Sequence, residues 1–181
     1  MRWKTIDLKN SYTAPRECGG LDAALDCAQV KTKLMPLEDI RAFLMFPEGF
    51  GTSGMPTAPQ FQDIAQAGFR TVINLALPTS DNALPNEGDL VTRAGMAYVH
   101  IPVLFDAPKA SDYEQFERVM NALRPQPVFV HCAANMRVSA FMFLYRVRNG
   151  LAPRDVAESD LRKIWDPDGV WREFIDSVLT A

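Results

Sequence analysis

The sequence predicts an α/β domain in which a central, mostly parallel sheet is flanked by helices, giving a three-layer sandwich. The prediction rests first on alternation. Short apolar runs at 70–77, 96–103 and 127–131 are separated by stretches of helical periodicity, the pattern of crossover units. It rests second on composition. A chain of 181 residues with 48% hydrophobic and 23% charged side chains can bury one sizeable core.

Residues 1–36 are an N-terminal extension without a regular pattern; 16–20 reads as a turn and 21–30 as a short helix. The domain proper occupies 37–181. A first strand is predicted at 40–46, closed by Pro47, Glu48 and Gly49. The stretch 51–56 reads as a turn, after which Thr57 caps a helix running to 67, with Pro59 in its first turn. Gly68 ends that helix, and 70–77 is a nearly continuous apolar strand. A helix over 87–94 precedes the strand at 96–103. Beyond a loop at 104–110, the spacing of Phe116, Val119, Met120 and Leu123 marks a helix over 111–123. The strand at 127–131 runs straight into Cys132. Helices over 137–148, 153–165 and 169–179 complete the chain, with Phe141, Phe143, Tyr145, Trp165 and Trp171 read as packing residues.

Composition also narrows the function. A net charge of −3 gives no electrostatic reason to expect nucleic acid or an anionic membrane as partner. The first residues contain no apolar run of secretory type, so a cytoplasmic protein is expected. The three cysteines, Cys18, Cys27 and Cys132, show no C-x-x-C spacing, which argues against a disulfide framework or a zinc site. Cys18 and Cys27 read as passive thiols, whereas Cys132 stands at a strand end, where ligands of open α/β sheets bind.

The chemistry concentrates in His131-Cys132-Ala133-Ala134-Asn135-Met136-Arg137. A buried strand delivers the cysteine, a short loop turns, and a helix begins near the arginine. Successive amides of Ala133, Ala134, Asn135, Met136 and Arg137 would point inward as an anion-binding nest, reinforced by the helix N-terminus. Both favour the thiolate of Cys132, and the same donors suit a tetrahedral oxyanion that the Arg137 fork can grip.

This loop resembles that of the cysteine-based phosphatase superfamily, the protein tyrosine and dual-specificity phosphatases, which reads His-Cys, five residues, Arg, then Ser or Thr. Thr52-Ser53-Gly54-Met55-Pro56-Thr57, Gly68-Phe69-Arg70-Thr71-Val72-Ile73-Asn74-Leu75 and Tyr98-Val99-His100-Ile101-Pro102-Val103 are similar to a bacterial phosphatase-like domain. That domain is also found fused to beta-lactamase-fold hydrolases. The resemblance implies a phosphatase-like sandwich that needs no metal or organic cofactor. It implies Cys132 as nucleophile and Arg137 as oxyanion ligand, with Ser139 supporting the thiolate. It places a general acid in the loop after the Tyr-x-His-Ile-Pro strand, where Asp106 stands; a solvated loop aspartate is the alternative reading. Asp112 reads as a helix start. His131 would orient the loop, or be a satisfied core histidine, and His100 reads as structural. The substrate would be a phosphorylated small molecule or a phosphoprotein.

The loop departs from the superfamily in one respect. Four residues, not five, separate Cys132 from Arg137, and Val138 stands where the arginine is expected. One residue at a helix start turns a side chain by about 100°. Asn135, replacing the usual glycine, is the next-best residue for positive φ. A four-residue interval is typical of rhodanese-like sulfurtransferases, which carry a persulfide on the cysteine. That reading stays open, as does an anion-binding module without turnover. Against it, the chain shows no rhodanese-type strand ending in Asp-x-Arg and no Gly-His-Ile-Pro-Gly segment; the corresponding upstream segments look phosphatase-like.

Overall fold

A computed structural model describes residues 36–180; the turn and helix expected within 16–30, with Cys18 and Cys27, lie outside the described residues. After a single 3₁₀ turn at Leu37–Asp39 come β1 (Leu44–Met45), β2 (Phe50–Ser53), α1 (Gln60–Gln66), β3 (Thr71–Asn74), α2 (Glu87–Arg93) and β4 (Ala97–His100). Then follow α3 (Ala110–Leu123), β5 (Val128–His131), α4 (Met136–Arg148), α5 (Arg154–Arg162) and α6 (Gly169–Thr180). The strands form one sheet in the order β1-β2-β5-β3-β4. Only the edge pair β1 and β2 is antiparallel. This is the expected helix-flanked, mostly parallel sheet.

Strand β5 is central and its residues alternate between two cores. Val128 and Val130 join Phe116, Phe141, Leu144 and Trp171 on the face covered by α3, α4 and α6. Phe129 joins Phe61, Ile64, Phe69 and Val91 on the face covered by α1 and α2. Helix α4 is enclosed along most of its length, from Arg137 to Arg146. Its buried Arg146 is neutralised by Glu48 at 3.1 Å and Asp160 at 2.7 Å, with its guanidinium 4.4 Å from the centre of the Phe46 ring.

Three sequence readings are corrected. The strand expected at 40–46 shrinks to Leu44–Met45, because Ala42 takes a positive φ of 52° and breaks the run. The apolar side chains there mark packing, since Ile40 is buried, but Arg41 O accepts from the Gly54 amide just beyond β2 and Ala42 O from Asn135 Nδ2 in the Cys132 loop. The turn expected at 51–56 overlaps β2, which is buried along its whole length beside β5. Gly51 misled the reading: a Cβ there would lie 2.6 Å from the Phe69 ring and 3.0 Å from Phe129, so glycine marks a close approach within the sheet. The helix expected from 57 begins at Gln60, after a turn in which Gln60 Oε1 accepts from the Thr57 amide at 2.8 Å.

Gly51→Ala is therefore expected to destabilise the domain by about 1–3 kcal/mol, the usual cost of overpacking a core. Urea unfolding monitored by tryptophan fluorescence measures it, and an unchanged midpoint would contradict the close packing of Phe69 against β2.

Candidate active site

The parallel register sets Ser53, His131, Asn74 and His100 side by side across the carboxyl edge of β2, β5, β3 and β4. Beyond this row β5 gives way to the loop. Adjacent residues of an extended chain point to opposite faces, and here that separates two tasks. Cys132 belongs to the core on the α4 side. His131 lies on the other side, its ring 6.1 Å from that of Phe61, with Nε2 donating to Glu87 Oε1 at 2.8 Å.

Glu87 opens α2 and is 5% exposed. Its second oxygen accepts from Asn74 Nδ2 at 3.0 Å, and the same amide donates to the Tyr98 hydroxyl at 3.2 Å. Asn74 Oδ1 in turn accepts from the Ala76 amide at 2.7 Å. His100 Nε2 is 2.8 Å from Ala76 O. Buried carboxylates persist only when they are hydrogen-bonded and paired. This network meets that demand while fixing the backbone on both sides of the site. His131 thus holds the strand end and faces away from the thiol side.

The loop itself is held open. Asn135 takes φ 66° and ψ −1°, the left-handed conformation that ends the loop and starts α4. Its Nδ2 donates to Ala42 O at 2.7 Å and to Thr52 Oγ1 at 3.2 Å. Ala133 O accepts from Met55 N at 3.3 Å and from Asn82 Nδ2 at 3.0 Å, and Ala134 bridges to Gly54. Every one of these bonds consumes a carbonyl or a side chain. The amides of Ala133, Ala134, Met136 and Arg137 find no acceptor among the described residues. Four amides without an acceptor at a helix start are the kind of donor cluster that suits an anion.

Cys132, 1% exposed, lines a cavity of about 210 Å³ with Phe105, Ala133, Ala134, Met136 and Arg137. Arg137 is the second residue of α4, and Val138 turns into the core. Arg137 Nη1 donates to Leu75 O at 3.0 Å, its guanidinium carbon lies 5.8 Å from the centre of the Phe105 ring, and its buried Nε has no partner. Arg137 thus lines the same cavity as Cys132 with donor capacity to spare.

Of the remaining residues singled out in the sequence, Ser139 and Asp106 stand apart from the sulfur. Ser139 Oγ donates to Met136 O at 3.0 Å and accepts from Trp165 Nε1 at 3.2 Å, so its bonds go to the loop's backbone and not to Cys132. Asp106 is exposed and follows Phe105, which does line the cavity. The Phe105 ring packs on both Trp165 and Trp171, with centroids at 5.9 and 5.6 Å, and the Phe105 carbonyl accepts from Trp171 Nε1 at 2.7 Å. The two tryptophans expected only to pack therefore brace both rims of the cavity. Glu87, Asn74, Tyr98 and Asn82 were missed from sequence. Asn74, a polar residue closing an apolar strand, was the one available signal. Among the described residues, no group of three or more His, Cys, Asp or Glu is placed to hold a metal ion. No helix among them is long and apolar enough to cross a membrane.

Burial, aided by the Glu87 carboxylate and opposed by the Asn74 amide, pushes the Tyr98 hydroxyl up to about 12. A phenol raised above its unfolded value of about 10 contributes stability below that pH, and the contribution is lost as pH rises towards 12. Stability is expected to decline from about pH 10, with a shallower decline in Tyr98→Phe. Denaturant titrations between pH 9 and 12 check this; identical slopes in the two proteins would contradict it.

Comparison with known proteins bears out the resemblance. A family model described as DSP-PTPase phosphatase fused to NAD+ kinase matches residues 48–169. The crystal structure of a DUF442 protein of Shewanella putrefaciens CN-32, described as a candidate phosphatase, superposes with a TM-score of 0.72 at 38% identity, covering 80% of this chain and 95% of that one. The beta-lactamase hydrolase-like protein of Xylella fastidiosa strain Temecula1 is 30% identical over 115 residues, 62% of this chain and 26% of that protein. The chain thus spans about a quarter of the length of the curated relatives it matches. The core catalytic domain of the PP-IP phosphatase SIW14 from S. cerevisiae shares the fold, with a TM-score of 0.61 at 12% identity over 74% of this chain and 83% of that one.

Proposed function

We propose that this chain, which belongs to the family of DSP-PTPase phosphatases fused to NAD+ kinase, hydrolyses phosphomonoesters through a phosphocysteine on Cys132. The observation that carries the reading is the convergence of Cys132, Arg137 and the unpaired loop amides on one cavity at the carboxyl edge of the sheet. The thiolate attacks phosphorus in line, an S–P bond forms, and the ester P–O bond breaks. Asp106 gives its proton to the departing oxygen. Water then attacks the phosphocysteine and yields its proton to the Asp106 carboxylate, inorganic phosphate leaves, and the thiolate is restored. The amides and Arg137 stabilise the equatorial oxygens in both steps.

The same reading gives other residues supporting parts. His131, held by Glu87, sets the loop's entry angle and takes no proton from the sulfur, because it lies on the opposite face. Ser139 acts through Met136 O and Trp165. The Phe105 carbonyl, fixed by Trp171, limits how far the following Asp106 can swing.

Hydrolysis of p-nitrophenyl phosphate tests the reading directly. Activity should vanish in Cys132→Ser, while Arg137→Lys should lower kcat by about a hundredfold, the worth of one preorganised donor. Asp106→Asn should slow alkyl phosphates far more than aryl phosphates, whose leaving groups need little protonation. Equal losses on both would remove Asp106 from the acid role. Absence of phosphatase activity together with thiosulfate–cyanide sulfur transfer would replace the phosphatase reading with the sulfurtransferase one, which the four-residue interval favours. Phosphate binding with neither activity would leave an anion-binding module.

A further inference from the structure

The Cys132 cavity is not closed on its far side. A groove of about 400 Å³ shares Ala133, Ala134 and Arg137 with it and is walled by Arg41, Ser80, Asp81 and Asn82. We infer that this groove is a second anion subsite centred on Arg41, which selects small phosphorylated compounds bearing a further anionic group over those with a single phosphoryl group. The inference rests on the phosphatase reading only for its account of what occupies the neighbouring cavity.

The backbone around Arg41 is built at a cost. Ala42 holds φ 52°, a conformation that an alanine adopts at a penalty of about 1–2 kcal/mol. Strain of this kind persists where surrounding contacts impose it, and it gathers at binding sites. Here the contacts come from the site itself: Asn135 Nδ2 binds Ala42 O at 2.7 Å, and Gly54 N binds Arg41 O at 2.7 Å. The residue that shapes the anion loop therefore also fixes the turn that carries Arg41. On the opposite wall Asn82 is tied to Ala133 O at 3.0 Å, so both sides of the groove are anchored to the same loop.

The charges on the groove suit an anion. Arg41 is exposed, and Arg137, 7% exposed, brings a buried Nε without a partner. Asp81 opposes them with one carboxylate and makes no ion pair with Arg41 among the described residues. Ser80, Asn82 and Asp81 offer a hydroxyl, an amide and a carboxylate to the hydroxyl groups of a sugar-like linker. A groove that shares its floor with the phosphoryl site places the second anion within the length of a single small molecule, not at the far end of a protein partner.

Calorimetric binding to the Cys132→Ser protein, which needs no turnover, gives the test. Fructose 1,6-bisphosphate is expected to bind about tenfold more tightly than fructose 6-phosphate, the equivalent of one charge-assisted contact. Arg41→Ala should erase that ratio and Arg41→Lys should restore most of it. Equal affinity for the two sugars overturns the subsite, as does a preference for a phosphotyrosyl peptide over both. Loss of affinity for both sugars to the same degree in Arg41→Ala would also overturn it, because that is a general field and not a second site. Wild-type protein that fails to hydrolyse p-nitrophenyl phosphate yet keeps the binding ratio would defeat the phosphatase reading and leave the subsite standing.

Discussion

Everything about this domain's functional edge depends on keeping a row of backbone N–H groups unpaired in a mostly buried loop. Buried amides without partners are unstable, at roughly 1–3 kcal/mol for each lost hydrogen bond, so a loop left to itself would turn them towards its own carbonyls. Here several carbonyls of the loop and the Asn135 side-chain amide nitrogen are committed elsewhere. Ala133 O is taken by Met55 and Asn82, Asn135 by Ala42 and Thr52, and Met136 O by Trp165 and Ser139. Among the described residues, the amides of Ala133, Ala134, Met136 and Arg137 remain without an acceptor. On the phosphatase reading a tetrahedral anion would satisfy them.

That commitment explains why so much polarity lies beneath an apolar sheet. His131 and Cys132 are neighbours, yet the pleat sends them to opposite faces, and each face carries its own device. Below, Glu87 gathers His131 and Asn74, and Tyr98 joins through Asn74, so that β5, β3 and β4 end in register. Above, Trp165, just beyond α5, and Trp171, in the first turn of α6, hold the start of α4 and the loop at Phe105. An Ala at positive φ and a glycine pressed against two phenylalanine rings belong to the same arrangement. Local costs are concentrated where the chemistry is, and the apolar cores on either side of β5 offset them.

The sequence made one class of feature legible and hid another. Periodicity found α2, α3, α4, α6 and the strands β3, β4 and β5, because each buries a face large enough to leave a repeating pattern. It also found the loop from Cys132 to Arg137, since a buried run ending in cysteine with an arginine nearby has few structural explanations. It failed at Phe50–Ser53, where Gly51 and Ser53 look like turn residues but answer to side chains arriving from Phe69 and to the sheet edge. It failed at 40–46 because the conformation of Ala42 is dictated by Asn135, 93 residues away. Glu87 was invisible for the same reason. A glutamate at a helix start is ordinary until His131 arrives 44 residues later to bury it. Long-range hydrogen bonds leave no period in a chain.

The short interval between Cys132 and Arg137 shows how such counting misleads. Measured from the cysteine, an arginine one place early should be rotated away from the sulfur, and Val138 should stand in its stead. The loop, however, is what lost the residue, and the helix begins correspondingly sooner. Asn135 provides the left-handed turn that ends the loop, Met136 opens α4, and Arg137 is already on its first turn. Val138 is fully buried in the core, where an arginine could not be solvated. Side-chain direction in a helix follows from distance to the helix start, not from distance to a residue before the turn. The guanidinium consequently reaches the cavity wall, braced by Leu75 O and the Phe105 ring, with its Nε still unpaired. On the phosphatase reading, a shorter loop would mean fewer amides around the anion, not an absent arginine, and binding would lean correspondingly more on Arg137.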